Sequence, residues 1–232
     1  MPLPLKPSDV ASRLREYSLD TYLGIGSITK GVALAAATYA GFAIFGSGNI
    51  WPRLAFWLAS LVAITISYMT WGRGVLLTTA RSNLLDSVFP LLMGLAEFSL
   101  FAILSPDKVP PNLDQYWFLV FSAHAVLAVA LVSNRIFNTL TNEDFEKPLQ
   151  PLAEKYLQWL QSDRLAAGVI ALLSLAMWVS ITLILPIWPD RTDLIQTVMA
   201  LVLAIGGIVP MVGADAQRRE MDEFVSHILS EH

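Results

Sequence analysis

The run Ser87-Val-Phe-Pro-Leu-Leu-Met-Gly-Leu-Ala-Glu97-Phe-Ser-Leu-Phe-Ala-Ile-Leu-Ser105 is apolar throughout except at Glu97. After it comes Tyr116-Trp-Phe-Leu-Val-Phe-Ser-Ala-His124-Ala-Val-Leu-Ala-Val-Ala-Leu-Val-Ser133, apolar except at His124. Each run is long enough to cross the ~30 Å hydrocarbon layer of a bilayer as a helix. The segment between them, Pro106-Asp-Lys-Val-Pro-Pro-Asn-Leu-Asp-Gln115, is rich in turn formers. The two runs read as an antiparallel pair of spanning helices. They set the expected fold class: an all-α integral membrane protein.

Glu97 lies eight residues before Ser105, and His124 eight residues after Tyr116. Both then fall ~12 Å below one membrane surface. An unpaired charge at such a depth costs on the order of 3 kcal/mol. Contact between the two groups lowers that cost, as an ion pair or as a neutral hydrogen bond. Gly94, Ala96 and Ser99 flank the acid, and Ser122, Ala123 and Ala125 flank the imidazole. Residues this small let helices approach closely. The expectation is a buried polar pocket built on Glu97 and His124, with Ser99 and Ser122 beside them. It would handle a proton or a cation, or else serve as a hydrogen bond between two helices.

Composition supports the membrane class. Of 232 residues, 55% are hydrophobic and 15% charged, with a mean hydropathy of +0.56. Soluble chains carry about 25% charged residues. There is no cysteine, which excludes disulfides, thiolate metal sites and cysteine nucleophiles. A net charge of −4 does not point to nucleic acid. No cleavable leader is expected, since the first residues are Pro-rich and then charged. No phosphate-binding glycine loop, metal-ligand spacing or paired membrane histidines for haem stand out, so no cofactor and no metal is expected. Nor is an enzyme expected, although Glu97 with His124 has the makings of an acid–base pair acting on lipid.

Six spans are predicted, over about 31–46, 54–71, 87–105, 116–133, 165–185 and 194–211. Ala33, Ala37 and Gly41 form a small-residue stripe on the first. Ser60, Thr65, Ser67 and Thr70 dot the second, where hydroxyls can bond to their own backbone. No Lys is placed inside a span. Gly206, Gly207 and Pro210 mark a kink or an unwound point in the sixth, and broken helices of this kind line binding sites in some transporters. Amphipathic helices are predicted over 8–23, 151–162 and 215–230. The first of them is expected to end at Gly24 and Gly26. Ile50-Trp51-Pro52 recurs as Ile187-Trp188-Pro189, a hint of internal duplication.

Lys and Arg split 12 to 3 between the two sides of this topology. The positive-inside rule then places both termini, and the amphipathic helices, in the cytoplasm. Trp51, Trp117 and Trp188 fall at outer span ends, as an aromatic belt would. The site would lie nearer the outer face of the plasma (inner) membrane.

The expected function is a small transporter or channel for an ion or small solute. It would be proton-linked through Glu97 and His124, with histidine's titration near neutral pH giving pH dependence. Gly206, Gly207 and Pro210 would line the pathway. The alternative is a non-transporting scaffold or a subunit of a larger complex, for example a substrate-binding importer subunit, an analogy of architecture alone. The expected partners are the lipid bilayer and either further copies of the chain or a membrane partner subunit.

Overall fold

A computed structural model describes residues 7–45, 50–77, 84–104, 113–138, 150–184, 187–188 and 191–231. These form six helices and no strand: α1 (Pro7–Phe45), α2 (Ile50–Leu77), α3 (Leu84–Ala102), α4 (Leu113–Asn138), α5 (Gln150–Ile184) and α6 (Thr192–Glu231). In hydrocarbon every backbone polar group must be satisfied within the chain, which favours the helix. Five of the six are long and apolar enough to cross a membrane. The exception is α3, whose apolar part, Val88–Ala102, is shorter. The outer surface is itself oily: Phe42, Phe45, Leu172 and Val209 are all exposed. Apolar surface on this scale suits lipid and not water.

Three predicted boundaries do not exist. The segments 8–23, 151–162 and 215–230 are not separate surface helices but the ends of α1, α5 and α6. Gly24 and Gly26 do not stop α1, because a glycine ends a helix by turning left-handed, and no described glycine has positive φ. Inside a continuing helix each costs only about 1 kcal/mol. The stripe on the early part of α5 is not laid on a membrane surface either. Leu152, Tyr156 and Leu160 are buried, and the latter two pack with Val132 and Ile136 of α4. Where α5 and α6 extend together, Lys155 pairs with Glu220.

Likewise α6 runs unbroken through Gly206, Gly207 and Pro210, so of the two readings, a kink or an unwound point, the unwound point is absent. Pro210 lacks the N–H that would bond to the Gly206 carbonyl, and its ring crowds that carbonyl. Gly206 has open space around its Cα. Gly207 instead admits a neighbour. A Cβ there would lie 2.6 Å from Val62 Cγ1, so its bare backbone lets α2 pack closely.

The most extensive interfaces pair α4 with α5, α2 with α6, and α1 with α3. Ala33, Ala37, Ala40 and Ile44 of α1 are buried in the main core. The Trp57 indole of α2 reaches across and donates a hydrogen bond to the Ala37 carbonyl at 2.8 Å. Trp117 is not a belt residue. It is fully buried, packed among Phe56, Phe118 and Phe121, and its Nε1 donates to Ser60 Oγ at 3.1 Å. Trp51 and Trp188 are exposed. The repeated tripeptides differ in backbone: Ile50-Trp51-Pro52 opens α2, whereas Ile187 and Trp188 precede α6. Ser105, the 46–49 turn, Leu149 and Pro189 lie outside the described residues.

Candidate functional site

Glu97 of α3 and His124 of α4 meet. His124 Nε2 lies 3.4 Å from Glu97 Oε1, a hydrogen bond when that nitrogen carries the proton. Both side chains are buried. A third ionisable group joins them: Lys30 of α1 forms an ion pair with the same Glu97 Oε1. The Lys30 ammonium also donates to Ser67 Oγ of α2 at 2.7 Å. Four helices thus converge on one polar cluster centred on the Glu97 carboxylate. Glu97 Oε2 is buried and has no hydrogen-bond partner among the described residues.

Helix continuity explains why Lys30 is here. Because α1 does not stop at Gly26, its apolar segment begins at Gly24 and contains Lys30. Lys30 then shares the buried face with Gly26, Ala33, Ala37, Ala40 and Ile44. Its position on that stripe was the available signal; reading a helix end at Gly26 hid it. Ser67 was hidden by the expectation that hydroxyls in spans serve their own backbone. That holds for Ser60, which donates to Phe56 O at 2.9 Å, and for Thr65, which donates to Leu61 O at 2.9 Å.

Close approach of α1 and α3 brings the pair together. Gly94 is three residues before Glu97, and a Cβ there would overlap the Cβ of Thr29, the neighbour of Lys30. Distances along the helices differ between the two pairs. Lys30 lies 15 residues before Phe45, and Ser67 lies 17 after Ile50. That is about 22–25 Å from those ends of α1 and α2. The helix ends are staggered, so the shorter count along α3 and α4 does not carry over to α1 and α2.

Of the other expected site residues, Ser99 turns back to its own helix and donates to Leu95 O at 2.8 Å. Ser122 faces α5 and donates to Ala171 O at 3.1 Å. Neither hydroxyl is directed at Glu97 or His124. Gly206 is exposed, while Gly207 and Pro210 line a cavity. Ser122→Ala is expected to lower stability by about 1 kcal/mol, the net value of one hydrogen bond, and to leave any Glu97-dependent activity intact. Ser99→Ala is expected to be silent in both. A Ser122→Ala protein of normal stability that lost such activity would overturn this assignment.

The cavity, of about 80 Å³, lies between α2, α4, α5 and α6, with Met93 of α3 on its wall. Ser67 and His124 both reach it, which joins it to the charged cluster. Phe121 lies on the same wall, its ring centroid 6.5 Å from that of His124. At the foot of α5's long apolar run, Asp163 lines it too. Glu97 and His124 are two metal-capable ligands, and no third His, Asp or Glu completes a set among the described residues.

Chemically, the cluster is a carboxylate held by one cation and one imidazole in a medium that punishes lone charge. A proton on Glu97 would leave the Lys30 ammonium without its counter-charge. No protein-family model matches the chain, and no curated protein or solved structure is significantly similar to it.

Proposed function

We propose that this chain is a multi-pass membrane transporter or channel for an ion or small solute, with proton movement linked to Glu97, His124 and Lys30. The observation that carries the reading is the meeting of Lys30 and His124 on one buried oxygen of Glu97, beside a cavity. Ionisable residues inside the membrane are expensive to keep, and they mark pathways and proton relays more often than inert packing. We read α3 as a sixth crossing, because it packs against both α1 and α4 and carries Glu97 inward. With Lys30 moved to the interior, Lys and Arg still split 11 to 3, which favours cytoplasmic termini in a plasma membrane.

The test is proton-linked flux in liposomes carrying the purified protein and a trapped pH-sensitive dye. Glu97→Gln is expected to reduce flux by at least about tenfold, the scale of removing one essential proton carrier. His124→Ala is expected to reduce it as well. Wild-type flux that survives both changes ends the proposal.

The competing reading is a scaffold or subunit of a larger complex. Its support is the extension of α5 and α6, tied by Lys155 and Glu220 and presenting Arg218, Arg219, Asp222 and Glu223 at the surface. A stoichiometric partner on co-purification, with no Glu97-dependent flux, would favour it.

A further inference from the structure

The walls of the cavity beside His124 select among solutes. Alanines at 59, 63, 125, 128, 166 and 167 line it, leaving space where larger side chains would fill a core. Among the lining residues, the polar side chains are Ser67, Thr70, His124 and Asp163. A dehydrated metal cation takes about six oxygen ligands, and these walls do not supply them. An organic ion would bring net charge against hydrocarbon, because Lys30 and Glu97 already neutralise each other and Asp163, the other charged side chain on the wall, is already engaged. A volume of about 80 Å³ is also smaller than the ~150 Å³ apolar cavity that holds benzene.

We propose that this cavity binds a small uncharged amphiphile. Its body would have a few carbons against Phe121 and the alanines, and a single hydroxyl-type head would hydrogen-bond to His124 and Ser67. A hydroxyl both donates and accepts, so it suits either tautomer of the imidazole. The proposal rests on the transport reading and narrows its solute from an ion or small solute to a neutral organic molecule. It also places the solute on the imidazole that touches Glu97, so occupancy and protonation meet at His124.

The chain contains no cysteine, so a single introduced thiol reports its own surroundings. Ala128→Cys and Ala166→Cys place one on α4 and one on α5, both on the cavity wall. Ser226→Cys, on the exposed end of α6, is the control. Each protein, in lipid nanodiscs, is labelled with N-ethylmaleimide alone and with 1-propanol, propylammonium or propionate at equal millimolar concentrations. The expected result is that 1-propanol slows labelling of both cavity thiols saturably, by about threefold at twice its dissociation constant. The control thiol and the two ions show no effect. The proposal is overturned if 1-propanol leaves both cavity rates unchanged, if either ion protects equally well, if the control slows in parallel, or if neither cavity thiol reacts. Labelling needs no flux, so failure here leaves a Glu97-dependent flux standing, and absent flux leaves protection readable.

Discussion

Glu97→Gln is expected to destabilise the protein by about 3–5 kcal/mol, the cost of stranding a buried ion when its partner is removed. The amide keeps the size and an acceptor oxygen of Glu97, so the change is chiefly one of charge. Lys30 remains buried without its counter-charge, its ammonium left with neutral acceptors, the amide oxygen and the Ser67 hydroxyl. Lys30→Met is expected to cost a similar amount, leaving the carboxylate with His124 alone. The double variant, Lys30→Met with Glu97→Gln, should recover much of the loss, since a buried ion pair is often replaceable by groups that need no charge. Thermal unfolding of the three proteins in one detergent measures this directly. With each single change costing about 3–5 kcal/mol and the double change close to neutral, the coupling is expected to exceed the roughly 0.5–3 kcal/mol usual for groups in contact. Strictly additive losses would show that Lys30 and Glu97 do not act as a pair. The double variant also separates folding from function, because it should be stable and yet carry no proton-linked flux.

The second large effect is expected at Gly94. An added methyl would overlap Thr29 Cβ, an atom that cannot swing aside, and would lie 2.9 Å from Thr29 Cγ2. Ordinary carbon contacts begin near ~3.5 Å, so Gly94→Ala must push α1 and α3 apart by about 1 Å. Overpacking of this kind costs about 1–3 kcal/mol. The displacement falls beside Lys30 and one turn from Glu97, so the ion pair should weaken and any flux should fall with it. Removing the opposing Cβ provides the check. Thr29→Gly in the Gly94→Ala background is expected to restore flux, less the helix cost of one more glycine in α1. Gly31→Ala, where a Cβ meets nothing within 4 Å, should be harmless. A Gly94→Ala protein equal to wild type in unfolding temperature and flux would refute the close-packing account.

Glu97 and His124 were legible because each is the sole ionisable group in a long apolar run, and lone charges at depth need company. The small residues around Gly94 were legible as a place of close approach because they leave room for a second backbone. Lys30 was missed because two glycines nearby read as a helix end. A glycine carries a stop signal only through the conformation it adopts, and that conformation depends on whether water is present to satisfy the freed backbone. Ser99 and Ser122 were drawn into the site by nearness in sequence. Their helical phase, and the carbonyls at Leu95 and Ala171, decide otherwise. The amphipathic stripe of α5 was real, but periodicity cannot tell a lipid surface from the flank of α4. The stagger between helix pairs could not be counted from one hairpin.

The uninterrupted length of α5 and α6 has a mechanical consequence. A continuous helix transmits rotation, most directly in α5, which unlike α6 has no proline at the level of the cavity, so a tilt of about 5° there would swing a tip ~25 Å away through roughly 2 Å. Were the interior to rearrange, these ends would act as levers: the change would be readable outside the oily interior, and a protein gripping the tips would in turn bias it.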